Sequence, residues 1–528
     1  MASAHDDWPL GAAAVLEAVL TERPGAEAVV ARSGRLTYRQ LDQLAERSMR
    51  ALIAAGVRPG DRLGVSLAND LPLVGLFHAT MRLGAIWVGV QQALAPPEKA
   101  YVLADSQTGF FVGDGETVDQ VRRTSGDHQV TRCVVVDQDP ESEWSMLLDS
   151  DAVGRPPVPD QLAPAAIAYT SGTTGFPKGA VHSQHNLMVP GRMIVRSRGY
   201  GPTLRKADCF PLTMLNLQVL STLLVAQCGG TAIVMDRVDP AGIARWIEAE
   251  RATTWNGAPA MLYGLAADDD VPAASLRSLD DVWSGGSHCS QATMDRFTAK
   301  FGLPVQTTYG ATEVPTVVTI APQGRAIDPA ASGLPLPHLA LHIVDGDGQE
   351  QPAGSSGEIC VGPTDRGDLA SLYRPMLGYW GKPEASTHAV HHGLLHTGDV
   401  GFLDDEGCLY VQDRRQSLIV RGSANVYPAE VQRVLGDFPD IADSCVIGIP
   451  DDRLGARVVA AVELEGSDSD GRALDTEALR AHCLANLARY KVPEQFLVRT
   501  LPRNAMGKVS VPEVTRWFQD HEGFEGGG

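Results

Sequence analysis

The sequence predicts an α/β protein with more than one domain. Its 528 residues exceed what one hydrophobic core normally supports, so we expect at least two domains. Hydrophobic residues make up 44% of the chain and charged residues 20%, as in ordinary globular proteins. Segments with helical periodicity alternate with short apolar runs, and this alternation favours parallel or mixed sheets covered by helices.

Two segments illustrate the pattern in the N-terminal part. A helix is expected from Tyr38, because apolar and small residues follow at helical spacing and Gly56 stands where a C-cap belongs. Residues 231–235 are typical of a buried strand. Asp239 can then cap a helix that has Pro240 at its first position. In a parallel sheet, consecutive strands are connected by helices, and a strand followed by a helix fits this arrangement.

A separate small α/β unit is predicted near the C-terminus. Pro428 stands at the start of a helix whose apolar residues Val431, Val434 and Leu435 share one face. The boundary between the large and the small unit is expected near residues 413–417.

Charge and cysteine content exclude several classes of protein. The chain has 44 basic and 64 acidic residues, and its net charge of −20 disfavours nucleic acid and anionic membranes as partners. Eight scattered cysteines without a C-x-x-C pattern argue against a zinc site and a disulfide framework. The longest mostly apolar segment, residues 215–228, is interrupted by polar residues and too short to cross a bilayer. We therefore expect a cytoplasmic protein without an integral membrane segment.

The most informative segment is Y-T-S-G-T-T-G-F-P-K-G at residues 169–179. Apolar residues 165–168 before it suit a buried strand. Its glycines allow close backbone approach, its hydroxyl and amide groups can donate to phosphate oxygens, and Lys178 adds a positive charge. It is not a Walker loop, because Lys178 is followed by glycine rather than by a magnesium-binding hydroxyl residue. The segment predicts a polyphosphate cradle of another kind.

This segment and six further ones resemble the adenylate-forming superfamily. Its members include acyl-CoA synthetases, 4-coumarate-CoA ligase-like enzymes, firefly luciferase and nonribosomal adenylation domains, and they share the T-S-G-T-T-G-x-P-K-G loop. The further segments, in the family's order, are S-G-G-S at 284–287, Y-G-A-T-E at 309–313, H-T-G-D at 396–399, Arg414, N-V-Y-P-A-E at 425–430 and P-R-N-A-M-G-K at 502–508. The resemblance spans roughly residues 30 to 515 and is closest to acyl-CoA synthetases.

The resemblance implies a two-domain architecture. Residues 1–413 are expected to form a large domain of helix-covered mixed sheets with a smaller barrel-like part, which binds AMP and the acyl group. Residues 414–417 correspond to the family's hinge, and residues 418–528 to its small mobile α/β domain. In the family the small domain rotates between the two half-reactions.

The same resemblance assigns the residues that bind ATP. The β- and γ-phosphates are expected at Thr170, Ser171, Gly172, Thr173, Thr174 and Lys178. Adenine and the α-phosphate are expected at Gly285, Gly286, Ser287, Tyr309, Gly310 and Thr312. Asp399 and Arg414 are expected to bind the ribose, since a carboxylate can accept hydrogen bonds from both ribose hydroxyls. Glu313 corresponds to the ligand of Mg²⁺, a cation that prefers oxygen donors.

Lys508 completes the implied catalytic set with Thr312 and Glu313. In the family this lysine comes from the small domain and reaches the substrate carboxylate and the α-phosphate, where negative charge accumulates. A carboxylate attacks the α-phosphorus of Mg·ATP, pyrophosphate leaves, and the thiol of CoA then attacks the acyl-adenylate. The implied function is an acyl-CoA ligase that uses ATP, Mg²⁺ and CoA.

Several residues depart from the acyl-CoA synthetase pattern around the thiol path. Gln416 replaces the usual Asp or Lys of the hinge, and Met214 replaces a histidine. Ser423 replaces a glycine after Gly422 in the loop beside the pantetheine tunnel, and Val420 replaces a lysine. These departures leave open an enzyme specialised in one half-reaction with a partner enzyme, or acyl transfer to a carrier protein. A non-catalytic nucleotide-binding relative is less favoured, because the charged site residues are retained.

The acyl pocket is expected, by alignment with the family, to draw on Leu215, Asn216, Trp255, Asn256, Gly257, Ser284 and Val314. Each could equally be core packing, Trp255 above all, because large aromatic residues are usually buried. Residues 213–217 lack the aspartate that pairs with the ammonium group of amino-acid substrates, so a plain carboxylic acid is expected. Leu215 and Val314 suggest an apolar acyl body, and Asn216 and Asn256 can bond to an oxygen on it. An aromatic, alicyclic or medium polycyclic acid fits better than acetate.

Overall fold

The computed structural model describes residues 11–94, 96–124, 130–137, 139, 141–150, 156–170, 177–285, 289–323, 327–365, 367–414, 419–421, 424–426, 428–451, 455–466, 474–487, 489–504 and 507–520. None of the helices within these ranges has both the length and the apolar character that crossing a membrane requires.

The strands, in chain order, are β1 (Glu27–Ala31), β2 (Gly34–Thr37), β3 (Arg62–Ser66), β4 (Ile86–Gly89), β5 (Phe110–Gly113), β6 (Arg132–Val135), β7 (Pro164–Thr170), β8 (Lys178–Ser183), β9 (Arg205–Asp208), β10 (Thr231–Val234), β11 (Thr254–Gly257), β12 (Asp281–Ser284), β13 (Val305–Ala311), β14 (Thr316–Ile320), β15 (Leu334–Pro335), β16 (Leu339–Val344), β17 (Gly357–Pro363), β18 (Gly378–Tyr379), β19 (Val390–His391), β20 (Leu394–Leu403), β21 (Leu409–Arg414), β22 (Ile419–Arg421), β23 (Ala424–Val426), β24 (Ile441–Asp451), β25 (Gly455–Leu464) and β26 (Gln495–Val498).

The α-helices are α1 (Glu17–Glu22), α2 (Tyr38–Ala55), α3 (Leu71–Leu83), α4 (Pro96–Asp105), α5 (Gly115–Thr124), α6 (Glu143–Leu148), α7 (Gln184–Arg198), α8 (Leu215–Gln218), α9 (Leu224–Ala226), α10 (Pro240–Glu250), α11 (Pro259–Ala267), α12 (Gln291–Phe301), α13 (Pro383–Ala389), α14 (Pro428–Gly436), α15 (Thr476–Asn486) and α16 (Val511–Asp520). A π-helical turn, Val219–Leu223, joins α8 to α9.

Local sequence signals account for the ends of several helices. α2 begins with a capping box between Thr37 and Gln40 and ends at Gly56, whose φ of 102° is in the left-handed region that favours glycine. The Asp239 side chain accepts a hydrogen bond from the Gly242 N–H at the start of α10. The predictions of a helix from Tyr38 and of a capped helix from Pro240 are confirmed.

Two large mixed sheets dominate the N-terminal part. A nine-stranded sheet has the order β15-β14-β13-β12-β11-β9-β10-β1-β2, and a seven-stranded sheet has the order β18-β8-β7-β4-β3-β5-β6. Neighbouring strands from β13 through β12, β11, β9 and β10 to β1 run parallel. One hydrophobic core contains residues from both sheets, among them Trp283 of the first and Trp87 of the second.

The remaining sheets form the smaller parts of the fold. A curled antiparallel sheet, β16-β17-β20-β19 with β21 beside β20, is the barrel-like part. The C-terminal region has a two-stranded sheet, β22-β23, and a three-stranded sheet, β24-β25-β26. Its residues form two hydrophobic clusters of their own, so the region has a separate core. The predicted fold class is confirmed, whereas the exact domain bounds stay a prediction.

Candidate active site

The candidate site lies at one edge of the nine-stranded sheet. Parallel strands end at a common edge, and ligands of open α/β sheets bind outside it. Asn256 and Gly257 end β11, Ser284 ends β12, and Gly257 pairs with Ser284 in the register of the two strands. Tyr309 lies near the end of β13, the next strand along. The fold thus brings together residues that are far apart in the sequence.

The phosphate loop connects two antiparallel strands. Thr170 is the last residue of β7 and Lys178 the first of β8, and the two residues pair directly across the strands. A Walker loop instead leads from a strand into a helix, so the fold also separates this loop from that class. The predicted phosphate ligands Ser171, Gly172, Thr173 and Thr174 lie outside the described residues.

Tyr379 joins the phosphate loop to the carboxylate predicted to bind metal. Its hydroxyl donates a hydrogen bond of 2.8 Å to Glu313 Oε1. Lys178 Nζ lies 5.2 Å from the centre of the Tyr379 ring, a cation–π distance. Tyr379 is itself held by backbone pairing with Ala180 of β8. Sequence reasoning missed Tyr379, because a tyrosine in a two-residue strand has no charge pattern or spacing that marks it.

A second tyrosine joins the residues predicted for adenine and ribose. Tyr309 Oη donates to Asp399 Oδ2 over 2.7 Å, and both residues are buried. The Asp399 N–H donates to Thr397 Oγ1 over 3.1 Å, which fixes the backbone of β20 just before Asp399. Asp399 pairs with Arg414 between β20 and β21, although the side chain of Arg414 lies outside the described part. The backbone therefore places the two predicted ribose residues side by side.

His182 fixes the segment that contains Thr312. Its Nε2 lies 2.7 Å from the Thr312 carbonyl oxygen and donates to it, because a carbonyl only accepts. His182 is fully buried, and this burial lowers the pKa of its imidazole to about 4, so the ring is neutral near pH 7. The bond ties β8, which follows the phosphate loop, to the residue predicted to contact the α-phosphate.

Two of the predicted nucleotide-binding glycines are required by the close approach of a neighbouring strand. A Cβ on Gly310 would lie 1.7 Å from the Thr316 carbonyl oxygen, and one on Gly285 would lie 2.4 Å from Thr308 Oγ1. Larger residues would push these strands apart. Contact between these glycines and adenine stays a prediction, and Gly286 and Ser287 lie outside the described residues.

The predicted acyl-pocket residues fall into two groups. Asn216 and Asn256 are partly exposed, whereas the others are buried: Leu215, Trp255, Gly257, Ser284 and Val314. The Trp255 indole belongs to a core cluster and lies against Gly257, where a Cβ would come within 2.3 Å of Trp255 Cη2. Packing against the Trp255 ring therefore explains why residue 257 is a glycine. A direct contact of Trp255 with the acid stays a prediction.

Lys508 is exposed and lies in a compact turn of the C-terminal region. Its N–H donates to Asn504 Oδ1 over 3.1 Å, and its carbonyl accepts from the Asn504 N–H over 2.8 Å. Gly507 before it has a φ of 74°, so the turn requires a left-handed residue there. Gln416, Gly422 and Ser423 lie outside the described residues, as does the side chain of Val420.

The fold and the site define an adenylate-forming enzyme. The chain belongs to the AMP-binding enzyme family, whose model matches residues 16–373. The model of the AMP-binding enzyme C-terminal domain matches residues 430–508.

Characterised relatives and solved structures agree with this family. Indoleacetate–CoA ligase of Aromatoleum aromaticum is 31% identical over 93% of this chain and 95% of its own. The fatty acid acyl-carrier-protein ligase ScoC of Streptomyces coeruleorubidus is 29% identical over 94% of each chain. ATP-bound MatB from Rhodopseudomonas palustris superimposes with a TM-score of 0.86 and 26% identity, covering 96% of this chain and 99% of that one. The similarity therefore extends over both the N-terminal and the C-terminal parts.

Proposed function

We propose that this protein is an acyl-CoA ligase that forms acyl-CoA, AMP and pyrophosphate from a carboxylic acid, ATP and CoA through an acyl-adenylate. The observation that carries the proposal is a pair of tyrosine contacts, one from Tyr379 of the seven-stranded sheet and one from Tyr309 of the nine-stranded sheet. Tyr379 binds Glu313 through its hydroxyl and faces the Lys178 ammonium with its ring, and Tyr309 binds Asp399. The first contact suits a polyphosphate with its metal, and the second suits a nucleoside.

The first half-reaction needs positioning and charge neutralisation rather than a protein nucleophile. Lys178 and the loop before it bind the β- and γ-phosphates, and the backbone around Thr312 is held by His182. Lys508 neutralises the charge that develops as the acid's carboxylate attacks the α-phosphorus. Removing such a preorganised donor commonly costs about 10²–10³ in rate.

Glu313 fits the part of a magnesium ligand. A carboxylate oxygen is the donor that this cation prefers, and Tyr379 orients the group by binding one of its two oxygens. Bound Mg²⁺ supplies positive charge that shields the phosphates. The Lys178 ammonium lies over the ring of the same tyrosine, and its positive charge supports the binding of an anion there.

The second half-reaction requires a path for a thiol. We assign residues 414–417, including Gln416, to the hinge between domains 1–413 and 418–528, and Gly422 and Ser423 to the wall of the pantetheine path. Rotation of the small domain withdraws Lys508 and opens this path. We place the reaction in the cytoplasm, where ATP and CoA are both available.

A carrier-protein phosphopantetheine is the second candidate acceptor. The 29% identity to a ligase that acts on an acyl-carrier protein supports it, and so does the departure at Val420. An enzyme that performs one half-reaction with a partner enzyme is the remaining alternative. These alternatives share the site described above and differ only in what accepts or supplies the acyl group.

The acid is proposed to have an apolar body with one polar substituent. Leu215 and Val314 supply apolar surface, and the partly exposed Asn216 and Asn256 supply amide groups. An aromatic or alicyclic acid matches this combination, and the similarity to an indoleacetate–CoA ligase supports an acid of that size.

The test separates the two half-reactions. A broad panel of carboxylic acids is assayed for acid-dependent exchange of pyrophosphate into ATP without CoA, and chemically prepared acyl-adenylates are assayed for CoA ester formation. The proposal predicts both activities for the same acid. Thiolation of an adenylate without exchange for any acid would leave only the one-step alternative, and failure of both would favour a binding protein.

A further inference from the structure

A buried ion pair lies in the middle of the nine-stranded sheet. Lys206 Nζ and Asp208 Oδ1 of β9 are 2.7 Å apart, and both side chains have 0% exposure. Replacing a buried pair by apolar residues is often neutral or stabilising, because desolvation offsets the attraction. Stability alone therefore gives no reason for charged residues in this strand.

The lysine extends towards the sheet edge where the candidate site lies. Lys206 pairs in register with Thr254 of β11, yet its Nζ reaches Asn256 Oδ1, two residues closer to the end of that strand, over 2.7 Å. Trp283, the residue opposite Asn256 on β12, packs against the same Nζ, with its ring centre 5.4 Å away. Three strands thus fix the position of the ammonium group.

This contact determines which way the Asn256 amide faces. A lysine ammonium has donors and no acceptor, so the atom that it meets must be the amide oxygen. The amide nitrogen Nδ2 is then turned away from Lys206. Asn256 is partly exposed, and Nδ2 has no hydrogen-bond partner within the described part of the chain.

We propose that Lys206, held by Asp208, positions Asn256 so that its Nδ2 donates to an acceptor oxygen on the acyl body of the acid. This inference rests on the proposed function, in which Asn256 lines the acyl pocket. Lys206 is a positioning residue and Asn256 a specificity-determining one. The favoured acids carry a keto or ether oxygen on the acyl body, and acids with an amine at that place are rejected, because two donors face each other.

The expected discrimination follows from hydrogen-bond energetics. A neutral hydrogen bond contributes about 1 kcal/mol net, and an unmade bond to a desolvated group costs about 1–3 kcal/mol. An acid with the oxygen should therefore exceed its isostere without it by about 5- to 150-fold in kcat/KM.

The test uses two isosteric series of acids in pyrophosphate exchange. They are 4-acetyl-, 4-isopropyl- and 4-(1-aminoethyl)benzoic acid, and the same three substituents on cyclohexanecarboxylic acid. The wild-type protein should prefer acetyl over isopropyl and isopropyl over aminoethyl. Asn256→Asp keeps the shape and the contact with Lys206 but has no donor, so it should lower kcat/KM for the acetyl acids and raise it for the aminoethyl acids, reversing the order.

A double variant tests the positioning role of Lys206. Lys206→Met with Asp208→Leu removes both charges together, so neither is left buried alone. Asn256 can then present either end of its amide, and the acetyl-to-aminoethyl ratio should fall towards one. The matched control is Arg82→Met with Asp42→Leu, an ion pair between α3 and α2 that lies outside the three strands fixing Lys206, which should keep the wild-type ratio.

The outcomes distinguish the role of Asn256, the role of Lys206 and the proposed ligase function. Equal kcat/KM for acetyl and isopropyl acids, or an unreversed order in Asn256→Asp, would overturn the role of Asn256 while the ligase function stands. A wild-type ratio in the Lys206/Asp208 variant would overturn the role of Lys206. If that variant fails to fold by circular dichroism, Lys206→Gln with Asp208→Asn, which removes both charges but keeps polar side chains, replaces it in the same measurement. Failure of the wild-type protein with every acid of this and the broad panel would instead overturn the proposed function and this inference with it.

Discussion

The hydroxyl of Tyr309 and the carboxylate of Asp399 are joined by a 2.7 Å hydrogen bond between residues that are 90 positions apart in the chain. Tyr309 belongs to β13 of the nine-stranded sheet and Asp399 to β20 of the curled sheet. One bond therefore fixes the two sheets relative to each other at the place where adenine and ribose are proposed to bind.

Tyr309→Phe should weaken ATP binding, because it keeps the ring and removes the donor to a buried carboxylate. A hydrogen bond to a charged group contributes about 1.5–3 kcal/mol, so the KM for ATP in pyrophosphate exchange should rise about tenfold or more. Tyr490→Phe, at an exposed tyrosine of the C-terminal region, is the control. An unchanged KM for ATP would show that the bond has no part in nucleotide binding.

Tyr379→Phe should raise the magnesium requirement. The hydroxyl orients Glu313, and without it the carboxylate has more rotational freedom before the metal binds. We expect the half-saturating Mg²⁺ concentration to rise about tenfold or more, because this hydrogen bond too is made to a carboxylate. Tyr101→Phe is a matched control, because its hydroxyl donates to the carbonyl of Pro177 within the 169–179 segment, whereas that of Tyr379 donates to Glu313. Equal shifts in both variants would contradict a specific role of Tyr379.

His182 should make the fold sensitive to acid. Its folded pKa of about 4 lies below the ordinary value of 6.5, so the unfolded chain binds the proton more readily. The resulting stability is fully present above pH 6.5 and is lost as the pH falls towards 4. At about 1.4 kcal/mol per pKa unit, the loss amounts to about 3 kcal/mol.

His182→Leu removes this dependence and provides the measurement. The difference in unfolding free energy between wild type and variant, from urea titrations, should shift in favour of the variant between pH 6.5 and 4.5. His388→Gln, at an exposed histidine, is the control. A constant difference between wild type and His182→Leu over this range would contradict a neutral buried imidazole.

The sequence predicts the local features of this fold well, because their causes are local. The cap of α10 by Asp239 and the C-cap of α2 at Gly56 depend on residues within a few positions of each other. The strand before the phosphate loop is likewise marked by its own apolar residues. The fold class follows from the order of such elements and from the motifs shared with the family.

The contacts that organise the site depend on residues that are distant in the sequence. Tyr379 and Glu313 are 66 positions apart, His182 and Thr312 are 130 apart, and Lys206 and Asn256 are 50 apart. No periodicity connects such pairs, and the run from Arg205 to Asp208 looks like an exposed charged segment until it is placed in the middle of a sheet. Only the three-dimensional fold shows that these residues meet.

Lys508 and Ser423 should divide the two half-reactions between them. Lys508→Ala removes the charge needed only in the phosphoryl step, so adenylation should fall by about 10²–10³ while thiolation of a supplied adenylate continues. Ser423→Trp should do the opposite, because a bulky side chain obstructs the proposed pantetheine path. Lys491→Ala, at another lysine of the C-terminal region, controls for general effects of removing a charge there.

The central claim is that one site forms an acyl-adenylate and then transfers its acyl group to a thiol. Its most direct test measures acid-dependent pyrophosphate exchange and CoA ester formation from a supplied acyl-adenylate, side by side, in wild type and in folded Lys508→Ala and Ser423→Trp proteins. The account predicts both activities in wild type, loss of exchange alone in Lys508→Ala and loss of thiolation alone in Ser423→Trp. Equal loss of both activities in both variants would contradict it.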